Sequence, residues 1–254
     1  MTDPLFDLEG RTILITGAGG AIGCTVARAL ADRGARVAVQ DISAEKLESI
    51  GVGLPIVADL SDAAVAGQVV RDAHAALGGL DVLINSAGTN RRKPIGDVSA
   101  EDFDAIVAVN LRALYFASQA AHPLMAAAGG GSIVNLSSLS ARFSFNTISV
   151  YSATKAGVSS LTRSCAREWA RDRVRVNCLE PFVIKTEFTR PLWGEEHRQR
   201  WFDDVTPMGR LGSPEELVGA VVFLASDASS WMTGQSLVID GGLTAGADWD
   251  SYAD

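Results

Sequence analysis

Tyr151 and Lys155 stand four residues apart in the run Val150-Tyr151-Ser152-Ala153-Thr154-Lys155, and Ser138 lies thirteen residues before the tyrosine. Residues four apart on a helix share a face, so this phenol and this ammonium can project into one site. A free tyrosine has a pKa of about 10, too high for proton transfer near neutral pH. A neighbouring cation favours the phenolate and lowers that value. The spacing therefore suits Tyr151 as a proton-transfer group, with the Ser138 hydroxyl placed to hold a substrate oxygen. The same spacing occurs on helices that only face solvent, so the elements around these residues must decide.

The N-terminal elements point to a ligand. Ile13 to Ile15 form an apolar, β-branched run, as expected of a strand buried on both faces. Gly17, Gly19, Gly20 and Gly23 follow at once, and an amphipathic stretch from Val26 to Arg33 ends at Gly34. A second apolar run, Val37 to Val39, leads to Asp41. This order predicts a strand, glycine turn, helix and strand that bind a dinucleotide. The glycines admit a pyrophosphate to the backbone, and the helix N-terminus meets its charge. Asp41 can accept from both adenosine ribose hydroxyls of NAD and would repel a 2′-phosphate, and Ile42-Ser43-Ala44 offer that phosphate no base. The expected cofactor is NAD.

Strand-like runs recur at Ile13, Val37, Pro55–Val57, Val82–Ile84, Ile133–Leu136, Val174–Cys178 and Ser236–Ile239, with helical stretches between them. The alternation predicts one α/β domain over residues 1–254, a Rossmann-type doubly wound parallel sheet of seven strands with helices on both faces. A net charge of −8 argues against nucleic acid. The apolar runs are too short for a membrane span, and the start lacks a signal pattern. Cys24, Cys165 and Cys178 read as reduced cysteines of a cytoplasmic protein, and His74, His122 and His197 have no metal-ligand spacing.

On these residues the chain resembles the short-chain dehydrogenase/reductase family, from about Leu8 to Leu243. Thr16-Gly17-Ala18-Gly19-Gly20-Ala21-Ile22-Gly23 is similar to the family's TGxxxGxG turn, with Ala21 in place of its middle glycine. Asp59-Leu60 stands where the family contacts adenine, and Asn85-Ser86-Ala87-Gly88 resembles its NNAG. Asn110 matches the family's catalytic asparagine, and Ile133 to Ser138 match a strand whose second serine is catalytic. Asn177 to Thr186 resemble a stretch that ends in NxxxPGxxxT, with Phe182 replacing the glycine after Pro181. A phenylalanine there must point away from the nicotinamide or reshape the pocket beside it. The resemblance implies Asn110, Ser138, Tyr151 and Lys155 as catalytic residues. It implies that Lys155 bonds the nicotinamide ribose, that Thr186 bonds the amide, and that Pro181 and Ile184 flank the cofactor. It also implies a homotetramer or homodimer and an exchange of hydride between NAD and a secondary alcohol or ketone.

The substrate is a small molecule whose class is read from the loop Thr89-Asn90-Arg91-Arg92-Lys93-Pro94. Ligands of open parallel sheets bind at the strands' carboxyl ends, where this loop begins. Its cations suggest an anionic substrate, with Arg91 and Arg142 as candidates; a solvated basic turn, or pairing with Asp97, Glu101 or Asp102, is the alternative. The pattern looks most like the subgroup that oxidises sugar acids such as gluconate, and neutral sugars or polyols fit nearly as well. A 3-oxoacyl-carrier-protein reductase and a non-catalytic NAD-binding protein are the other readings. Residues 185–206, with Phe188, Trp193, Trp201 and Phe202, are expected to form a substrate lid, and 244–254 an acidic tail with Trp249.

Overall fold

The computed structural model describes residues 4–246. Seven strands form one parallel sheet: β1 (Thr12–Thr16), β2 (Arg36–Asp41), β3 (Leu54–Val57), β4 (Val82–Asn85), β5 (Gly131–Leu136), β6 (Val174–Pro181) and β7 (Ser236–Ile239). Their spatial order is β3-β2-β1-β4-β5-β6-β7, and every neighbouring pair is parallel. The chain reverses direction of winding between β1 and β4, and a crevice opens at such a switch.

The crossovers are α1 (Ala21–Ala31), α2 (Ala44–Ile50), α3 (Ala63–Leu77), α4 (Ala100–Val107), α5 (Leu114–Ala127) and α6 (Ser149–Trp169). After β6 come α7 (Arg190–Trp193), α8 (Glu196–Val205) and α9 (Val218–Ala225). Successive strand residues face opposite sides, and β1 shows the result. Ile13 and Ile15 pack with Val26 and Leu30 of α1 and with Val221 and Leu224 of α9. Leu14 packs on the other face with Val69 and Ala73 of α3 and with Ala117 and Ala121 of α5. Each face thus carries its own apolar layer, which is why the strand sequences read as continuous apolar runs.

The segment expected as a lid folds as α7 and α8. It stands over a third apolar cluster that joins Leu139, Phe182, Val183, Phe202 and Leu211. No helix among the described residues is long and apolar enough to cross a membrane. The acidic tail expected over 244–254, including Trp249, lies outside the described residues from position 247 onward.

Candidate active site

β5 ends at Leu136, and the chain leaves the sheet through Ser137 and Ser138. Ser137 is buried; its hydroxyl donates to the Lys155 carbonyl at 2.9 Å and lies 2.8 Å from Ser159 Oγ. Ser138 Oγ accepts from the Ser140 N–H at 3.1 Å, which sets the turn Leu139–Ala141 and holds the hydroxyl at the strand's carboxyl end. α6 begins at Ser149, so Tyr151 lies in its first turn and Lys155 in the next, on one face. Thr147, just before it, has φ 68°, a left-handed conformation that costs a β-branched residue energy. Its carbonyl accepts from the Lys93 N–H at 3.0 Å, so the loop after β4 and the start of α6 are tied together.

Lys155 Nζ donates to the Leu136 carbonyl at 2.7 Å and lies 5.5 Å from the centre of the Tyr151 ring. The side chain is buried, and burial brings its ammonium down to about 8, with Cys178 opposing the fall. Burial also dominates at Tyr151 and pushes the phenol above its ordinary value; Ser138 and then Arg92 pull it back. The net lowering expected from Lys155 is therefore not found. Desolvation weakens both partners' charged forms, and the cation that opposes it at Tyr151 is Arg92.

Asn110 occupies a π-helical turn, Ala108–Ala113, between α4 and α5. Such turns insert one residue and recur at functional sites. The side chain is fully buried: Oδ1 accepts from the Thr89 N–H at 2.7 Å, and Nδ2 donates to the Thr89 carbonyl at 2.9 Å and Thr154 Oγ1 at 3.3 Å. It joins the loop after β4 to the helix that carries Tyr151 and Lys155. A Cβ added at Gly88 would lie 3.6 Å from Asn110 Oδ1 and 3.8 Å from Lys155 Nζ, so the loop closes over both.

The glycine turn fits a dinucleotide. Gly17 has φ 65°, and an added Cβ would meet Ala87 Cα at 2.5 Å; at Gly23 it would meet the Gly17 carbonyl at 2.6 Å. Gly20 caps α1 without a side chain, and Ala21 is exposed at the helix start. Ile22 is half-buried behind it. Asp41 Oδ2 accepts from the Gly19 N–H at 3.1 Å, and Oδ1 from the Ser43 N–H at 3.0 Å. Ile42 is exposed beside it. Asp59 accepts from the Ser61 N–H at 2.9 Å, and Leu60 is buried. Asn85 points into the sheet instead, donating to Ser118 Oγ at 3.1 Å and Asn135 Oδ1 at 2.9 Å, so its side chain braces β4 against β5. Past Pro181, Ile184 is buried, and Thr186 Oγ1 lies 3.1 Å from Thr189 Oγ1. The stem of Lys46, on α2, packs against Gly19 beside Asp41, a contact that local sequence does not reveal.

A cavity lies beside Ser138 and Tyr151, lined also by Asn90, Arg92, Phe182 and Phe188. Phe182 does not crowd the cofactor strand; it turns into the aromatic cluster, with ring centres 6.0 Å from Phe145 and 5.7 Å from Phe202. The two arginines expected to hold substrate are occupied elsewhere. Arg91 pairs with Asp102 at 3.1 Å and Glu101 at 3.6 Å, and Lys93 joins Asp102 at 2.5 Å. Arg142 pairs with the buried carboxylate of Glu180. Of the cations in this loop, Arg92 is the one that lines the cavity. It is half-buried and makes no ion pair among the described residues. Side chains 91 and 93 turn to Asp102, which leaves 92 for the opposite side, a divergence an extended chain produces.

A family model described as Enoyl-(Acyl carrier protein) reductase matches residues 17–244. Gluconate 5-dehydrogenase of Gluconobacter oxydans is 39% identical over 248 residues, covering 94% of this chain and 97% of its own. D-threitol dehydrogenase of Mycolicibacterium smegmatis is also 39% identical over 248 residues, covering 94% and 95%. Among solved structures, a gluconate 5-dehydrogenase from Burkholderia cenocepacia in complex with NADP and tartrate superposes with a TM-score of 0.90 at 36% identity, covering 96% of this chain and 99% of that one. With these matches and this fold, the chain belongs to the short-chain dehydrogenase/reductase family and is an oxidoreductase of CH–OH groups that uses a nicotinamide cofactor.

Proposed function

We propose that this chain interconverts a secondary alcohol and its ketone on a sugar acid, with NAD as the cofactor. The observation that carries the substrate class is Arg92, a half-buried cation in the cavity of Ser138 and Tyr151 without an acidic partner among the described residues. A guanidinium in that state favours a ligand carboxylate. The cofactor, which the glycine turn, Asp41 and Lys155 would hold, would supply the hydride exchange with the substrate carbon. Ser138 holds the reacting oxygen, and Tyr151 takes its proton in oxidation or returns it in reduction. Ser138 and Arg92 favour the phenolate, Lys155 stands beside the ring, and Asn110 fixes the loop that faces them. Phe188 and α7–α8 cover the substrate as a lid. Asp41 supports NAD through its place at the end of β2.

The relative that oxidises D-threitol favours a second reading, a neutral polyol as substrate. Initial rates on gluconate-type acids, sugars and polyols, each with NAD and with NADP, decide between them. Turnover of acids with NAD supports the first reading, and turnover of polyols alone returns Arg92 to a structural role. Tyr151→Phe is expected to lower kcat by at least about a hundredfold while NADH binding, followed by its fluorescence, survives. Near-normal turnover would remove Tyr151 from the chemistry. We also propose a cytoplasmic location and an assembly of four copies.

A further inference from the structure

Asn90 presents a polar atom that nothing in the protein uses. Its side-chain carbonyl oxygen is buried and has no hydrogen-bond partner, the one such side-chain atom among the described residues. The residue lines the same cavity as Arg92, Ser138 and Tyr151. A buried acceptor without a donor is costly, and native proteins keep such atoms chiefly where a ligand or water completes them. The surrounding groups narrow the donor. Ser138 and Tyr151 are taken by the oxygen that reacts, and Arg92 is itself a donor suited to an anion. What remains for Asn90 is a neutral donor, a water or, in a substrate chain bearing alcohols, another hydroxyl, and the comparison of substrates below tells the two apart.

We infer that Asn90 is a specificity residue that accepts a hydrogen bond from a substrate hydroxyl other than the one oxidised, so that the site selects polyhydroxylated chains over simple secondary alcohols. The inference rests on the proposed alcohol dehydrogenase chemistry but not on the substrate being an acid. A site built to bond a hydroxyl rejects the analogue that lacks it far more strongly than an apolar pocket distinguishes sizes. The oxygen is the acceptor and the substrate O–H the donor, so no proton is transferred and Asn90 takes no part in the chemical step.

The test compares kcat/KM on two pairs of substrates: gluconate with 3-hydroxybutyrate, and erythritol with 2-butanol. Each pair shares its charge and differs in hydroxyl count. The wild-type enzyme is expected to prefer the polyhydroxylated member of any pair it turns over. Asn90→Leu should cut that preference roughly ten- to a hundredfold. Asn90→Asp keeps the acceptor and should keep the preference while weakening selection for acids, because its carboxylate competes for Arg92. A wild-type preference for the simple alcohols, no turnover of either polyhydroxylated compound, or an equal loss on both members in Asn90→Leu overturns the inference. Arg92→Leu separates it from the sugar-acid reading. That change should move the ratio of gluconate to erythritol and not the ratio within each pair. If erythritol is turned over and gluconate is not, the sugar-acid reading fails and the role of Asn90 stands or falls on the second pair.

Discussion

Tyr151 rests as a neutral phenol, because the burial that raises it outweighs Ser138 and Arg92. That is the form which protonates a ketone. Alcohol oxidation needs the phenolate, so its rate should climb with pH toward a phenol pKa above the usual value, while ketone reduction stays level until the phenol ionises. Initial rates in both directions across pH 6–11 would read this, and an oxidation rate that levels off below pH 7 would mean a phenol already ionised. Lys155, brought down to about 8 by burial, loses its own charge within the same range. At the other end of the crevice, Asp41 and Lys46 share a corner beside Gly19. Asp41→Ala is expected to raise kcat/KM with NADP about tenfold or more relative to NAD, with Lys46 then free to meet the 2′-phosphate. No change in the ratio would take cofactor choice away from Asp41.

Two elements meet in the pair Arg142–Glu180, which the sequence alone does not disclose. Glu180 stands on β6 just before Pro181 and is buried; besides Arg142, it accepts from Ser159 on α6 at 2.7 Å. The pair therefore fastens the turn after Ser138 to the strand that leads into Phe182. Removing Arg142 leaves a buried carboxylate without its cation. Arg142→Ala should cost about 1–3 kcal/mol in denaturant unfolding and lower kcat more than it raises KM, with Arg142→Lys recovering part of both. A pure rise in KM for acids would instead return Arg142 to the substrate. The strands, the glycine turn and the Ser138, Tyr151 and Lys155 framework were legible because each rests on local spacing. Which cation of the loop lines the cavity, the inward turn of Phe182 and the bracing role of Asn85 were not. Each depends on a partner distant in sequence: Asp102, the Phe145–Phe202 cluster, and Asn135.

The molecule as a whole exposes apolar side chains that its own core does not use: Phe103 on α4, Tyr115 on α5, and Trp231, which is 100% exposed. Exposed aromatic side chains are common where copies meet. Light scattering is expected to give about four times the 26.7 kDa chain, and Trp231→Glu to give a smaller species. A monomeric mass would refute the assembly of four copies.

The strand order has one more consequence. β1, β2 and β3, with the glycine turn and Asp41, lie on one side of the switch, and β4 to β7, with Ser138, Tyr151 and Arg92, on the other. The two sides are also successive in the chain, divided by α3 at Ala63–Leu77. One crossover inside that helix would therefore carry the glycine turn and Asp41 together onto a relative's substrate half. Because Gly17 packs on Ala87 across that boundary, such an exchange should succeed where the recipient half keeps a small residue at that position.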